Sequence, residues 1–187
     1  MKKGLFLGFV CAMGPAGCGD STGSGGSGAG GTGGSGGGDP PGLTEADVVQ
    51  AFEGFTLSGF TRVTKDAVAS QHAASERVIV WVNDEALEQY LAIDPADLEG
   101  TSDPFPLGTI LIKQGTTEAG EPDGAATVMA KFDEGFNPEA ADWWWGRFST
   151  AGELADSGAV GFCISCHDGN GFARTDYVAG TPVDNRL

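Results

Sequence analysis

The sequence is poor in basic residues. It contains 10 Lys and Arg against 26 Asp and Glu, which gives a formal net charge of −16 at pH 7. Recognition of nucleic acid or of an anionic surface depends on clustered Lys and Arg, so we expect neither partner. Two explanations of the acidic charge stay open: a solvated acidic surface, and a surface that attracts a basic partner protein.

Histidine and cysteine are scarce as well, with two and four residues. Cys11 and Cys18 lie close to the N-terminus, and the other two cysteines lie near the C-terminus beside one histidine. A structural zinc site needs four ligands, usually two pairs of Cys or His. His72 is the other histidine, so the sequence lacks a second ligand pair and a zinc site is disfavoured.

The N-terminal region lacks an apolar run long enough to cross a membrane. Residues 5–13 (LFLGFVCAM) span nine positions, whereas a membrane helix needs about 20 residues. Because two lysines precede this run, residues 1–17 are predicted to be a secretory signal peptide. Residues 15–18 (PAGC) resemble a bacterial lipoprotein cleavage site, although leucine is usual at the first position. We therefore expect a lipid anchor on Cys18, with simple export as the alternative.

Residues 18–41 are dominated by Gly and Ser. A segment without apolar side chains cannot bury a core and stays a flexible coil. A phosphate-binding glycine loop is disfavoured, because no strand precedes the segment and no lysine follows it. We expect a tether that holds residues 42–187 away from a membrane surface. The length of that C-terminal part suits one domain with a single core.

The strongest motif is CISCH at residues 163–167, the attachment signature of a c-type haem. Two thiols one helical turn apart, Cys163 and Cys166, can each add to one vinyl group at the porphyrin edge. His167 then lies under the ring, where its imidazole can bind the iron. A thioredoxin-like redox pair is disfavoured by the local sequence, and a Cys163–Cys166 disulfide would close too small a loop to stabilise much. We expect one haem c per chain, a cofactor that is attached outside the cytoplasm.

Apolar patterns between the tether and this motif predict a mainly antiparallel β-sheet with flanking helices, an α+β fold that ends in the haem-attachment helix. Trp143 and Trp145 should share one face of the last predicted strand while Trp144 points to the other. Asn83 can cap the second of two early helices. The predicted helices begin after Thr44 and span residues 84–92, and the predicted strands are residues 77–82, 109–113, 125–132 and 142–148.

Four segments, in this order, resemble the cytochrome P-460 family, whose members are mono-haem c-type cytochromes related to the cytochromes c-prime-beta. The segments are residues 81–84 (WVND), 104–113 (PFPLGTILIK), 142–145 (DWWW) and 163–167 (CISCH). The resemblance covers most of the chain from about residue 44 to residue 178. It implies an antiparallel sheet with flanking helices and a homodimer, as is common in the family.

The resemblance also implies residue roles. Cys163 and Cys166 would carry the haem thioethers, His167 would be the proximal iron ligand, and Lys113 matches a lysine that bonds to a macrocycle carbon. The family's sixth iron site is open, and its best-known activity is hydroxylamine oxidation. A distal glutamate accepts a proton in those enzymes, but Thr127 takes that position here. General-base help contributes about 10²–10⁴ in rate, so efficient hydroxylamine oxidation is disfavoured.

The sequence therefore predicts an exported cytochrome that binds, oxidises or reduces hydroxylamine, nitric oxide or peroxide at an open haem iron. An electron carrier is the first alternative, with Met129 or His72 as sixth ligand, and a non-catalytic gas-binding protein is the second. If these residues have no functional role, we expect Met129 to lie in the core, Lys113 to lie at the solvent-facing end of a strand, and His72 to be exposed. We expect a periplasmic or lipid-anchored protein of a Gram-negative bacterium. Its acidic surface could bind a basic redox partner.

Overall fold

The computed structural model describes residues 42–72 and 75–187. The predicted signal peptide (residues 1–17), the lipidation site Cys18 and the tether (residues 18–41) lie outside the described residues. Within the described ranges, no helix is long and apolar enough to cross a membrane.

A seven-stranded antiparallel sheet is the centre of the fold, and the predicted α+β class is confirmed. Six strands follow the order β1-β3-β4-β5-β6-β7, and β2 pairs with β3 beside β1. The strands are β1 Phe60–Arg62, β2 Val68–Ala69, β3 Arg77–Asn83, β4 Ile110–Thr116, β5 Pro122–Lys131, β6 Trp143–Phe148 and β7 Leu154–Gly158. The α-helices are α1 Glu45–Gly54, α2 Leu87–Ala92 and α3 Gly161–Gly169.

Both faces of the sheet are covered, which explains why its central strands are apolar on both sides. Trp143 and Trp145 belong to one buried cluster, which also receives Cys163 from α3. Trp144 belongs to the cluster on the other face, together with Val48 from α1. The predicted alternation of the three tryptophans is confirmed.

Helix α1 begins with the predicted cap. The Asp47 N–H donates to Thr44 Oγ1 at 3.3 Å, and the Thr44 N–H donates to Asp47 Oδ2 at 2.9 Å. This reciprocal pair satisfies two backbone donors that a helix start leaves without partners. The Trp144 indole donates to Glu45 Oε2 at 3.2 Å, which fastens the first turn to the sheet.

The prediction that Asn83 caps the second helix is wrong. Its side chain makes no cap bond; its Nδ2 donates to the Gly108 carbonyl, and its Oδ1 accepts the Ile110 N–H at 2.8 Å. Asn83 therefore ties the end of β3 to the start of β4. The predicted helix 84–92 begins as a 3-10 turn before α2, and Leu91 on it is exposed.

The packing of the sheet around Gly146 in β6 can be tested by substitution. A Cβ at this position would lie 2.3 Å from Cη2 of Trp144, so the indole could not keep its place. We expect Gly146→Ala to lower the free energy of unfolding by about 1–3 kcal/mol, measured by urea denaturation. Gly54→Ala is the control, because its Cβ would meet no atom within 4 Å and alanine favours a helix. Equal effects of the two substitutions would contradict this account.

Candidate functional site

The strand register aligns the predicted polar residues across one face of the sheet. Lys113 on β4 pairs with Val80 on β3 and with Thr127 on β5, which in turn pairs with Arg147 on β6. Directly paired residues of antiparallel strands point to the same face. Lys113 and Thr127 therefore lie side by side, although 14 positions separate them in the chain.

Helix α3 brings the CISCH motif to this face. Cys163 and Ile164 pack against the cluster that contains Trp143 and Trp145. Cys163 and His167 are four positions apart, so they share one side of the helix. Both motif cysteines are free and half-buried.

A cavity of about 460 Å³, part of it open to solvent, lies between α3 and the sheet. It is lined mainly by apolar atoms and, within the described ranges, by no Asp or Glu. The cavity brings together six of the residues named from the sequence: Lys113, Thr127, Cys163, His167, Met129 and His72.

His167 is buried and held by a backbone group. Its Nδ1 lies 2.5 Å from the Tyr177 carbonyl oxygen, which accepts a proton, so the imidazole donates through Nδ1. Burial lowers the pKa of His167 to about 4, and the charge of Lys113 acts in the same direction. The neutral ring therefore leaves Nε2 without a proton, which is the arrangement of a metal-binding histidine.

The carbonyl that orients His167 belongs to a strained turn. Asp176 and Tyr177 have φ values of 51° and 64°, in the left-handed region, which costs about 1–3 kcal/mol at such residues. Two contacts hold the turn: the Lys131 ammonium donates to both carboxylate oxygens of Asp176, at 2.7 and 2.9 Å, and Trp143 Nε1 donates to the Asp176 carbonyl. The sheet thus sets the position of the histidine.

Lys113 is half-buried at the cavity and does not end in solvent. Burial lowers the pKa of its ammonium, and the nearby Cys166 partly opposes that shift. The ion pairs of the described residues are Lys131–Asp176 and Arg147–Asp156, so no carboxylate there holds the charge of Lys113. Burial therefore makes the neutral amine, the nucleophilic form of lysine, easier to reach than it is for an exposed lysine.

Thr127 lies beside Lys113 with no carboxylate on the described cavity wall. Tyr90 also lines the cavity, but its hydroxyl lies 2.9 Å from Thr181 Oγ1, and burial raises its pKa to about 12. The position predicted to replace a distal glutamate therefore has no acidic substitute nearby.

His72 differs most from expectation. It was expected to be exposed, but it is half-buried and lines the same cavity as Cys163 and His167. Its ring centre lies 6.4 Å from that of His167. Burial lowers the pKa of His72 to about 3, with a further contribution from the charge of Lys113, so the ring is neutral. The polar segment around His72 carries no apolar periodicity that could have predicted this.

The surroundings of the cysteines bear on their other uses. Among the described residues there is no group of three or more His, Cys, Asp or Glu side chains that could hold a metal ion. Burial raises the pKa of the Cys163 thiol to about 11. Redox-active cysteines have lowered pKa values, so this thiol is poorly suited to disulfide exchange.

The cavity fits a c-type haem on several independent features. The Cys163 thiol and the His167 imidazole, whose Nδ1 is engaged by a backbone carbonyl, line the same apolar space. Cys166, one helical turn further along α3, is half-buried but is not among the lining residues. Trp145 also lines the cavity, and its buried indole N–H has no hydrogen-bond partner in the described part of the chain. A buried donor without a partner is rare, and a polar group bound in the cavity would supply the acceptor.

No protein-family model matches the chain, and a search of curated proteins finds no relative. The likeness to the cytochrome P-460 family therefore rests on the sequence segments quoted above.

The buried ion pair below the histidine gives a stability prediction. Lys131→Met leaves the Asp176 carboxylate buried without its cation, and we expect a loss of about 3–5 kcal/mol in the free energy of unfolding. The double variant Lys131→Met/Asp176→Asn removes the charge and keeps a residue that tolerates positive φ, so it should recover part of the loss. Urea denaturation of the three proteins measures this. A double variant less stable than the single one would contradict it.

Proposed function

We propose that the protein is an exported mono-haem c-type cytochrome that resembles the cytochrome P-460 family and binds or transforms a small molecule at its haem iron. One observation carries the proposal: Lys113, from a strand 50 residues before the motif, opens onto the same cavity as Cys163 and His167. The CISCH motif does not by itself require a lysine there. The arrangement matches the roles that the resemblance implies.

In this proposal the thiols of Cys163 and Cys166 would form the thioethers, and Nε2 of His167 would hold the iron. The haem would supply an iron that exchanges electrons and accepts a small ligand. The chain contributes an apolar wall that excludes water, a fixed imidazole on one side, and a lysine amine at the edge of the space.

The lining of the cavity favours some ligands over others. Hydroxylamine oxidation releases protons, and a carboxylate base near the substrate would accept them. Thr127 cannot do so at neutral pH, because its hydroxyl is a very weak base. We therefore favour binding of nitric oxide, or reaction with peroxide, over efficient hydroxylamine oxidation.

Electron transfer is the second candidate function, and a specific observation favours it. His72 lines the same cavity as His167 with its ring centre 6.4 Å away, so it would be a second residue able to hold the iron. The acidic chain would then present a surface that attracts a basic redox partner through charge.

The proposed location follows from the sequence. Residues 1–17 would direct export, Cys18 would carry the lipid of a membrane-anchored protein, and residues 18–41 would serve as the tether. Export agrees with c-type haem, which is attached outside the cytoplasm.

Covalent haem attachment is the direct test. When the chain is produced with a haem-maturation system, the denatured protein should keep one haem per chain, measured by intact mass. Cys163→Ala/Cys166→Ala should lose the haem on denaturation. Ser165→Ala, an exposed position between the two cysteines, should retain it. A wild-type chain without covalent haem would overturn the proposal.

The same preparation tests the role of Lys113. A bond from its Nζ to a macrocycle carbon replaces one N–H and one C–H by a C–N bond, and hydrogen peroxide can take up the two protons and two electrons to give two waters. The wild-type holoprotein should then be two hydrogen atoms lighter than chain plus haem, with an abnormal pyridine haemochrome. Lys113→Met should restore the simple mass and a normal spectrum, whereas Lys65→Met, at an exposed lysine, should not. A wild-type mass equal to that of the chain plus haem would contradict the cross-link but not the haem.

A further inference from the structure

We infer that His72 is the second axial ligand of the haem iron, opposite His167, and that small molecules reach the iron by displacing it. The inference rests on the proposed haem and extends it, because it assigns the coordination position that the family resemblance leaves open. His72 and His167 are the two histidines of the chain, and both line the cavity.

The spacing of the two rings supports this assignment. Their centres lie 6.4 Å apart. A metal that bonds one nitrogen of each of two imidazoles, at about 2.0–2.1 Å per bond, holds the ring centres about 6–6.5 Å apart when the rings face each other across it. The separation of the ring centres therefore agrees with the separation that one shared iron requires.

The hydrogen bonds leave the same nitrogen available on each ring. Nδ1 of His167 binds the Tyr177 carbonyl, and Nδ1 of His72 lies 3.3 Å from Ser70 Oγ. Nε2 remains available on both. A metal-bound histidine usually engages its other nitrogen with a protein group in this way, which fixes the ring and its tautomer.

The two histidines belong to different kinds of segment, a helix and a connection between strands. His167 is on α3, and its carbonyl partner belongs to the turn fastened by Lys131 and Asp176. His72 lies in the connection between β2 and β3, and Ser70 Oγ binds both its ring and its backbone N–H. The His72 side should therefore exchange its ligand, while the His167 side stays bound.

Two other side chains at the cavity could compete for the iron. Met129 lies in the middle of β5, paired with Leu111 and Trp145, and is buried in the core cluster. Lys113 also lines the cavity, and a lysine amine can bind iron in its neutral form. We assign the position to His72, because its ring centre lies 6.4 Å from that of His167.

Spectroscopy of the holoprotein tests the assignment without an activity assay. Ferric wild-type protein should be six-coordinate and low-spin, with a near-infrared magnetic circular dichroism band typical of two imidazoles. His72→Ala should become high-spin, and added imidazole should restore the low-spin state. His72→Met, which keeps a possible ligand, should shift the near-infrared band. Met129→Leu is the matched control and should keep the wild-type spectrum.

Ligand binding gives a second readout. If His72 leaves the iron free for about one-tenth of the time or less, the apparent affinity for carbon monoxide is reduced about ten-fold or more. His72→Ala should therefore bind carbon monoxide at least about ten-fold more tightly than wild type, while Met129→Leu should not differ.

The outcomes separate the inference from the proposed function. Three results would contradict the role of His72 without contradicting the haem. They are a high-spin haem-containing wild type, a His72→Ala variant that stays low-spin, and a wild-type band typical of histidine with methionine or amine. A wild type without covalent haem would overturn both.

Discussion

The buried ion pair between Lys131 and Asp176 sets the geometry of the candidate site. Burying two charges is costly, and here the cost is offset by several contacts: Asp176 also accepts the Phe105 N–H at 2.7 Å, and the Lys131 ammonium lies 5.0 Å from the centre of the Trp143 ring. The pair holds the turn whose carbonyl orients His167. The orientation of the histidine is therefore imposed by β5 and β6, and α3 alone would not provide it.

The sheet makes this possible because both of its faces are packed. Helix α1 covers one face, around Trp144, and the other face carries Trp143 and Trp145 toward the cavity. A sheet held from both sides is a rigid support, so the polar pair Lys113 and Thr127 keeps a fixed position among apolar neighbours.

Much of this arrangement could be predicted from the sequence, and the exceptions have physical reasons. The four central strands and the alternation of Trp143 to Trp145 follow from β-branched and aromatic runs. Strands β1, β2 and β7 were missed because they are short and lack an apolar alternation. His72 could not be placed, since its position depends on pairing between β2 and β3. The Tyr177 carbonyl was missed because a backbone acceptor leaves no side-chain signal.

If the proposed haem is bound, His167 and His72 would have different roles. His167 is buried and fixed by a strained, well-fastened turn, whereas His72 is half-buried in a connection between strands. An iron between them would keep one ligand and exchange the other. With no carboxylate on the described wall, the exchange would admit a neutral diatomic molecule or peroxide more readily than it would drive proton removal from hydroxylamine. The same arrangement would suit electron transfer if His72 stayed bound to the iron. The strength of the proposed bond between His72 and the iron would therefore decide between the two candidate functions.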